Sequence, residues 1–389
     1  MNEQHDRPEA RRHRTRRTRA DLAVAVLGCV LATTVACSSP KYPGATLESL
    51  PADAAGAVSL GGLGVETSGG DTLVFVFDRR GTVLGRIQTG RIDATRVLFA
   101  HSNAVAVTSE AVTVLTEGGR TDIPIDEHTV SAMTNNPDSG ATTVWFIRER
   151  SNTFVSIDAD QQVRQGTVDG MVRTTAYCGD RHFAIVDDIP TGTGTRPGRF
   201  YELLPSGDLL LRGHWENEPD DGWASSTSVC APDGRSVLAL HADYSAATMN
   251  TGGPAMTLVA IDFDTGSPNR TPLDMPEVGR GALRETLSVV DGRLYWLNPD
   301  KQVLSVPVAG PPTVTHEWTL PGGADTTVVS VHDTTVTAVD HQDRPVLSRY
   351  DLRTGISIDE PIALPWLGPI IGSAAGDTTY TLTSVAGAP

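Results

Sequence analysis

Residues 72–89 (TLVFVFDRRGTVLGRIQT) and residues 370–386 (IIGSAAGDTTYTLTSVA), near opposite ends of the chain, decide the fold between them. The first reads as two strands joined by a tight turn, the second as two strands with no partner after them. Between these stretches, segments beginning near Arg96, Val130, Thr174, Ser226, Glu285 and Thr326 each read as four short strands separated by turns. A repeat that is whole in the middle and halved at both ends is the pattern of a ring, with one unit shared by the two ends of the chain. Ring closure hides the sheet edges that an open array exposes. The expectation is therefore an all-β chain folded as a seven-bladed β-propeller, its tail paired with the strands just past residue 70. Residues 57–66 are left over, as an added strand or a partial eighth blade.

The turn between third and fourth strands repeats a chemistry. Phe77-Asp78-Arg79-Arg80-Gly81, Ile261-Asp262-Phe263-Asp264-Thr265-Gly266 and Tyr350-Asp351-Leu352-Arg353-Thr354-Gly355 share an apolar residue, an Asp and a later Gly, while Ile157-Asp158 keeps only the Asp. Asp satisfies the turn amides and Gly supplies a positive φ. These segments resemble the repeats of YVTN-type and quinoprotein-like β-propellers, over most of residues 72–386. Quinoprotein-like blades place a docking Trp a few residues after the Gly, and none follows Gly266 or Gly355, so no cofactor is expected. The Asp262-x-Asp264 spacing reads as turn chemistry rather than a calcium loop, which needs more oxygen ligands and a late Glu. No metal site is assigned.

Composition agrees. The chain has 389 residues, with 38 Gly and 25 Pro, which suits turns rather than a helical bundle, and 39% apolar residues, enough for a core. Beyond residue 36 it carries 24 basic and 43 acidic residues, net −19. A body so acidic repels phosphate backbones, so nucleic acid is excluded as a partner.

The first 36 residues have the zones of an export signal. Seven Arg between Arg7 and Arg19 precede Leu22–Ala36, an uncharged run of fifteen residues that ends in Thr34-Val35-Ala36-Cys37. That length suits a signal-peptide core and falls short of a membrane span. Small residues before a Cys fit a signal-peptidase pocket, after which the thiol can carry a thioether-linked lipid. Here the chain resembles bacterial lipoproteins, with Thr34 where their lipobox usually has Leu. With two Lys in the whole sequence, Lys41 and Lys301, it is also similar to actinobacterial lipoproteins. The resemblance implies a signal peptide over 1–36 and lipidation at Cys37 with acyl chains such as palmitate. A flexible tether over 37–56 and a propeller domain over 57–389 would follow, on the extracytoplasmic side of the cell membrane. Arg16-Arg17 leaves both the general and the twin-arginine export routes open.

Cys178 and Cys230 each end the first strand of successive units. First strands lie side by side around a propeller axis, so a disulfide is expected, with two buried free thiols as the alternative. In a four-stranded meander the second-to-third loop and the crossover share one face. The long second-to-third loops are Asp187–Arg199 and His241–Pro254, and the crossover between these units, His214–Trp223, is acidic and aromatic. Trp366 lies on the crossover into the closing unit. Trp223, Trp366, Asp187, Asp188, His241 and Asp243 are therefore the candidate binding residues. Trp215 and Trp318 read as fourth-strand packing residues.

No nucleophile elbow, zinc-protease helix or P-loop appears, and no catalytic residue is assigned. The sequence points to a non-catalytic binding module for an envelope protein or cell-wall ligand. The alternative is an exported propeller enzyme, a metal-dependent hydrolase or lactonase or a quinoprotein-like oxidoreductase.

Overall fold

Runs such as Leu73–Asp78 (LVFVFD) are apolar at successive rather than alternate positions. They are middle strands of narrow sheets stacked face to face, so both of their faces are covered: Leu73, Val74, Phe75, Val76 and Phe77 are all 0% exposed. Outermost strands reach solvent and alternate instead, as Val163–Asp169 does.

The structure is a computed structural model. It describes residues 42–388 apart from 64–71, 89–95, 109, 127–128, 189–195, 218–220, 246–253, 277–280, 284, 324–325, 372–373 and 376–377. The expected signal peptide, Cys37 and the start of the tether lie outside the described residues. So do the interiors of the long loops between Asp188 and Arg196 and between Ser245 and Pro254. Among the described residues no helix is long and apolar enough to cross a membrane.

Seven small sheets form a ring, and the fold is a seven-bladed β-propeller. Blade one is Val97–Ala100, Asn103–Val107, Ala111–Thr116 and Gly119–Pro124. Blade two is Val130–Asn135, Thr142–Arg148, Ser151–Ile157 and Val163–Asp169. Blade three is Met171–Cys178, Arg181–Asp187, Arg196–Leu203 and Leu209–Asn217. In blade four the inner strand is broken into Asp221–Trp223 and Val229–Cys230, both paired with Ser236–Asp243, which is followed by Ala255–Asp262 and Pro268–Pro272. Blade five is Ser288–Val290, Arg293–Leu297, Gln302–Pro307 and Thr315–Thr319. Blade six is Thr327–His332, Thr335–Asp340, Val346–Asp351 and the short Ile362–Ala363.

The closing blade corrects one expectation. Both chain ends do share it, but the tail strand Thr378–Gly387 pairs with Ala54–Leu63, not with the strands past residue 70. Ala54–Leu63 then pairs with Leu73–Asp78, and that with Val83–Gln88. The leftover residues 57–66 thus belong largely to a middle strand, and the closing sheet is built from two C-terminal strands, Ala374–Ala375 and Thr378–Gly387, and three N-terminal ones. Alternating Val58, Leu60, Val385 and Leu382 bury against the sixth blade, which a strand at the edge of an eighth blade could not do.

Seven apolar clusters hold the ring, one in each seam between neighbouring blades. Blades two and three, for example, share Trp145, Phe154, Val168, Ala184, Val186 and Leu203. The propeller also takes in more of the N-terminal side than expected. Leu47 and Leu50 are 7% exposed against the closing blade, and the backbone of Ala45–Leu47 bonds to Arg86. Packed structure thus reaches back to Tyr42, whose hydroxyl donates to that of Tyr380 (2.9 Å).

The Asp turns are as the repeat implied. Asp262 Oδ1 accepts from the amides of Asp264 (3.0 Å) and Thr265 (2.8 Å), and Asp351 Oδ1 accepts from those of Arg353 (3.1 Å) and Thr354 (3.0 Å). Their glycines Gly266 and Gly355 have φ of 62° and 69°. In the turn that lacks a Gly, Gln161 takes φ 61° itself, a conformation that costs a side-chain-bearing residue.

Candidate functional site

The two cysteines are joined: a disulfide links Cys178 to Cys230, with Cα atoms 5.4 Å apart. It holds the detached second piece of the fourth blade's inner strand to the inner strand of blade three. Beside it the amide of Ser228 donates to the carbonyl of Thr175 (3.0 Å).

At the other end of the same seam the structure gathers five of the six candidate binding residues. Asp187 ends the second strand of blade three and is 2% exposed. Its Oδ1 accepts from Asn217 Nδ2 (3.0 Å) and Trp223 Nε1 (3.3 Å), and its Oδ2 from Arg173 Nε (3.2 Å). Burial raises the pKa of this carboxyl, and the Arg173 charge opposes that rise. Asn217 Oδ1 in turn accepts from Trp215 Nε1 (2.9 Å) and Arg270 (2.7 Å). Trp223 lies opposite His241 in the ladder, with the rings edge to face at 5.0 Å, and Asp221 lies opposite Asp243. Asp188 is paired with Arg199 (2.7 Å).

Two placements differ from the sequence reading. Trp223 is part of an inner strand rather than of the crossover, because its indole fills the gap where two blades meet and reaches the buried Asp187. Trp366 stands apart from the other five. Its ring packs on Phe75 (5.0 Å) and its Nε1 donates to the carbonyl of Gly81 (2.8 Å), in the seam of the sixth and closing blades. Trp318 does the same one seam earlier, donating to the carbonyl of Leu352 (2.8 Å). Both indoles dock one blade onto the Asp turn of the next, so Trp366 shares the packing part expected of Trp318 and Trp215.

Asp187, Asn217, Trp215 and Trp223 spend their hydrogen-bonding groups on one another. The network fixes the ends of strands from two blades. What it presents outward is its rim: Asp188, Asp243 and Tyr244, the last 47% exposed.

A second region carries no sequence motif. A cavity of about 500 Å³ lies on the propeller axis, walled by inner-strand residues of all seven blades. Near it Arg96, just before blade one, is ion-paired with Glu285, just before the inner strand of blade five. These residues come from opposite sides of the ring. Glu285 holds φ 59°, a left-handed backbone in a non-glycine residue. The only signal of the pair in the sequence is a charged residue at the head of each first strand. Among the described residues no group of three or more His, Cys, Asp or Glu side chains is placed to hold a metal ion.

No protein-family model matches the chain, and no curated protein matches it. Solved structures do. Lignostilbene dioxygenase of Pseudomonas brassicacearum is similar at 11% identity and a TM-score of 0.50, over 88% of this chain and 94% of that one. Hydrazine synthase of Kuenenia stuttgartiensis is similar at 16% identity and a TM-score of 0.48, over 68% and 86%. Apo AztD of Citrobacter koseri is similar at 10% identity and a TM-score of 0.45, over 87% and 99%. At 11% identity the likeness to the dioxygenase bears on fold alone.

Proposed function

We propose that this chain is a non-catalytic binding module of the cell envelope, held on the outer side of the cell membrane by a lipid on Cys37. It takes a protein or cell-wall ligand on the rim of blades three and four. The observation that carries this reading is the construction of that rim. One buried carboxylate, Asp187, ties together groups on an inner strand, an outer strand and the next blade's inner strand. The connections that leave this seam therefore start from a fixed frame, and loops on a rigid frame are how scaffolds carry recognition. Asp188, Asp243 and Tyr244 make the first contact, over Trp223 and His241. Trp366 is engaged only by a partner wide enough to reach the next seam but two.

The anchor rests on the small-residue run before Cys37 and the basic, then apolar, segment ahead of it. Tyr42, five residues after Cys37, donates to Tyr380 (2.9 Å) and so belongs to the packed fold. Mass analysis of the mature chain should find Cys37 at its start with a diacylglyceryl thioether. An unmodified Cys37 would remove the anchor and leave the rim untouched. For the rim, the full chain is used to capture partners from envelope extract, beside a variant with Asp188→Lys and Asp243→Lys. Loss of the captured partner is expected, and equal recovery by both chains would discard this surface.

A further inference from the structure

The axial cavity is built differently from the rim. Two of the charged side chains in its wall are held by opposite charges of the protein itself. Glu285 is held by Arg96, and Arg349 by Asp359 through Nε (2.9 Å) and Nη2 (2.6 Å). His332 and Asp333 stand 3.4 Å apart where the first-to-second turn of blade six meets the opening. A charged ligand would have to compete with one of these pairs and lose its own hydration as well.

The neutral groups are arranged otherwise. The hydroxyls of Thr134 and Ser330, from blades two and six, line the cavity and make no hydrogen bond among the described residues. Ser228, from blade four, is 6% exposed, and its hydroxyl is buried without a protein partner. Ser228 Oγ is shielded even from water, whereas Thr134 and Ser330 are only half-buried in the cavity wall. Between them Leu98, Val229, Val289 and Val331 give the wall apolar surface from four blades. Partnerless hydroxyls set among aliphatic faces match a molecule with hydroxyls at its edge and C–H groups on its faces. A volume near 500 Å³ is that of a small-ligand site.

We infer that the axial cavity binds an uncharged, hydroxylated small molecule of one or two sugar rings, held by Thr134 and Ser330 against the aliphatic wall. This site is separate from the rim and does not depend on the lipid anchor.

The test is calorimetric titration of the full chain in detergent with glucose, maltose and cellobiose, beside glucuronate and glucosamine as charged counterparts. At least one neutral sugar is expected to bind. Ser330→Val should weaken that binding about tenfold, the scale of one lost hydrogen bond. Val289→Trp, which fills the cavity, should abolish it, with the thermal midpoint of each variant showing that it remains folded. The Asp188→Lys and Asp243→Lys chain should bind the sugar as the unaltered protein does. The inference is overturned if no neutral sugar binds, if a charged counterpart binds more tightly, or if folded Ser330→Val and Val289→Trp bind as before.

Discussion

The ring is held shut by different means at two places. In the closing blade, strands from the two chain ends meet as an ordinary ladder, in which Thr378–Gly387 pairs with Ala54–Leu63 along most of its length. Aliphatic and aromatic side chains fill its face toward the sixth blade, where Tyr380, Val385 and Phe75 are buried. In the seam of blades three and four the inner strand is interrupted between Trp223 and Val229, and the ladder cannot do that work. There the chain substitutes a disulfide, a buried carboxylate with three donors, and a stack in which Phe183 lies 5.1 Å from Phe200 and 4.4 Å from Phe263. Continuous backbone pairing needs no special side chains. An interruption does, and the side chains recruited to bridge it are the ones that read as a site in the sequence.

The comparison breaks most decisively at the tail. Ending the chain before Thr378 should expose the edge of Ala54–Leu63 and abolish cooperative folding, seen as loss of a sharp thermal transition and as aggregation on size exclusion. On the other side, Phe183→Ala removes a fully buried ring and should lower stability by about 3–5 kcal/mol in urea titration. Replacing Cys178 and Cys230 by Ala opens a loop of sequence separation 52 and should cost about 2–4 kcal/mol. A cost from Cys178 and Cys230 that exceeds the Phe183 cost would mean that the covalent link, not the stack, holds this seam.

The smallest effects are in pH. His182 sits wholly buried beside Thr175 and Tyr177, and desolvation lowers its pKa to about 3 from 6.5. Because the folded value is depressed, its contribution is complete above pH 6.5 and is lost as pH falls toward 3. His182→Gln should flatten the fall in urea midpoint across that window. Asp187 has the opposite sign. Its folded pKa is raised by burial, so the fold favours the protonated form, and that advantage disappears as pH rises from the ordinary carboxylate range through the raised value. Asp187→Asn should remove this loss on the high-pH side. Equal pH profiles for wild type and both variants would show that neither group titrates in a changed environment.

Much of the architecture was legible because it is written in local spacing. Strand-turn-strand units beginning near Arg96, Val130 and Thr326 coincide with blades, and the Asp of each outer turn does what its position suggested. The cysteines paired because each ends a first strand, and such strands are neighbours. The candidate site was legible in part. Asp187, Asp188, Trp223, His241 and Asp243 meet because strand ends on one face of adjacent blades must meet. Trp366 does not join them, since an indole just after an outer strand finds its partner on the next blade's turn. Nothing in the spacing of Thr134 and Ser330 marks them, for they are unremarkable residues of two separate strands.

By itself the sequence determined the propeller pattern and the turns between strands and pointed to seven blades and a cysteine pair, because those follow from periodicity and from the place of each residue in its repeat. Only the tertiary structure decided that the tail meets Ala54–Leu63, that Trp223 closes a seam, and that Arg96 neutralises Glu285 across 189 positions. Such choices depend on which surfaces face each other after the ring has closed, and no local pattern encodes that.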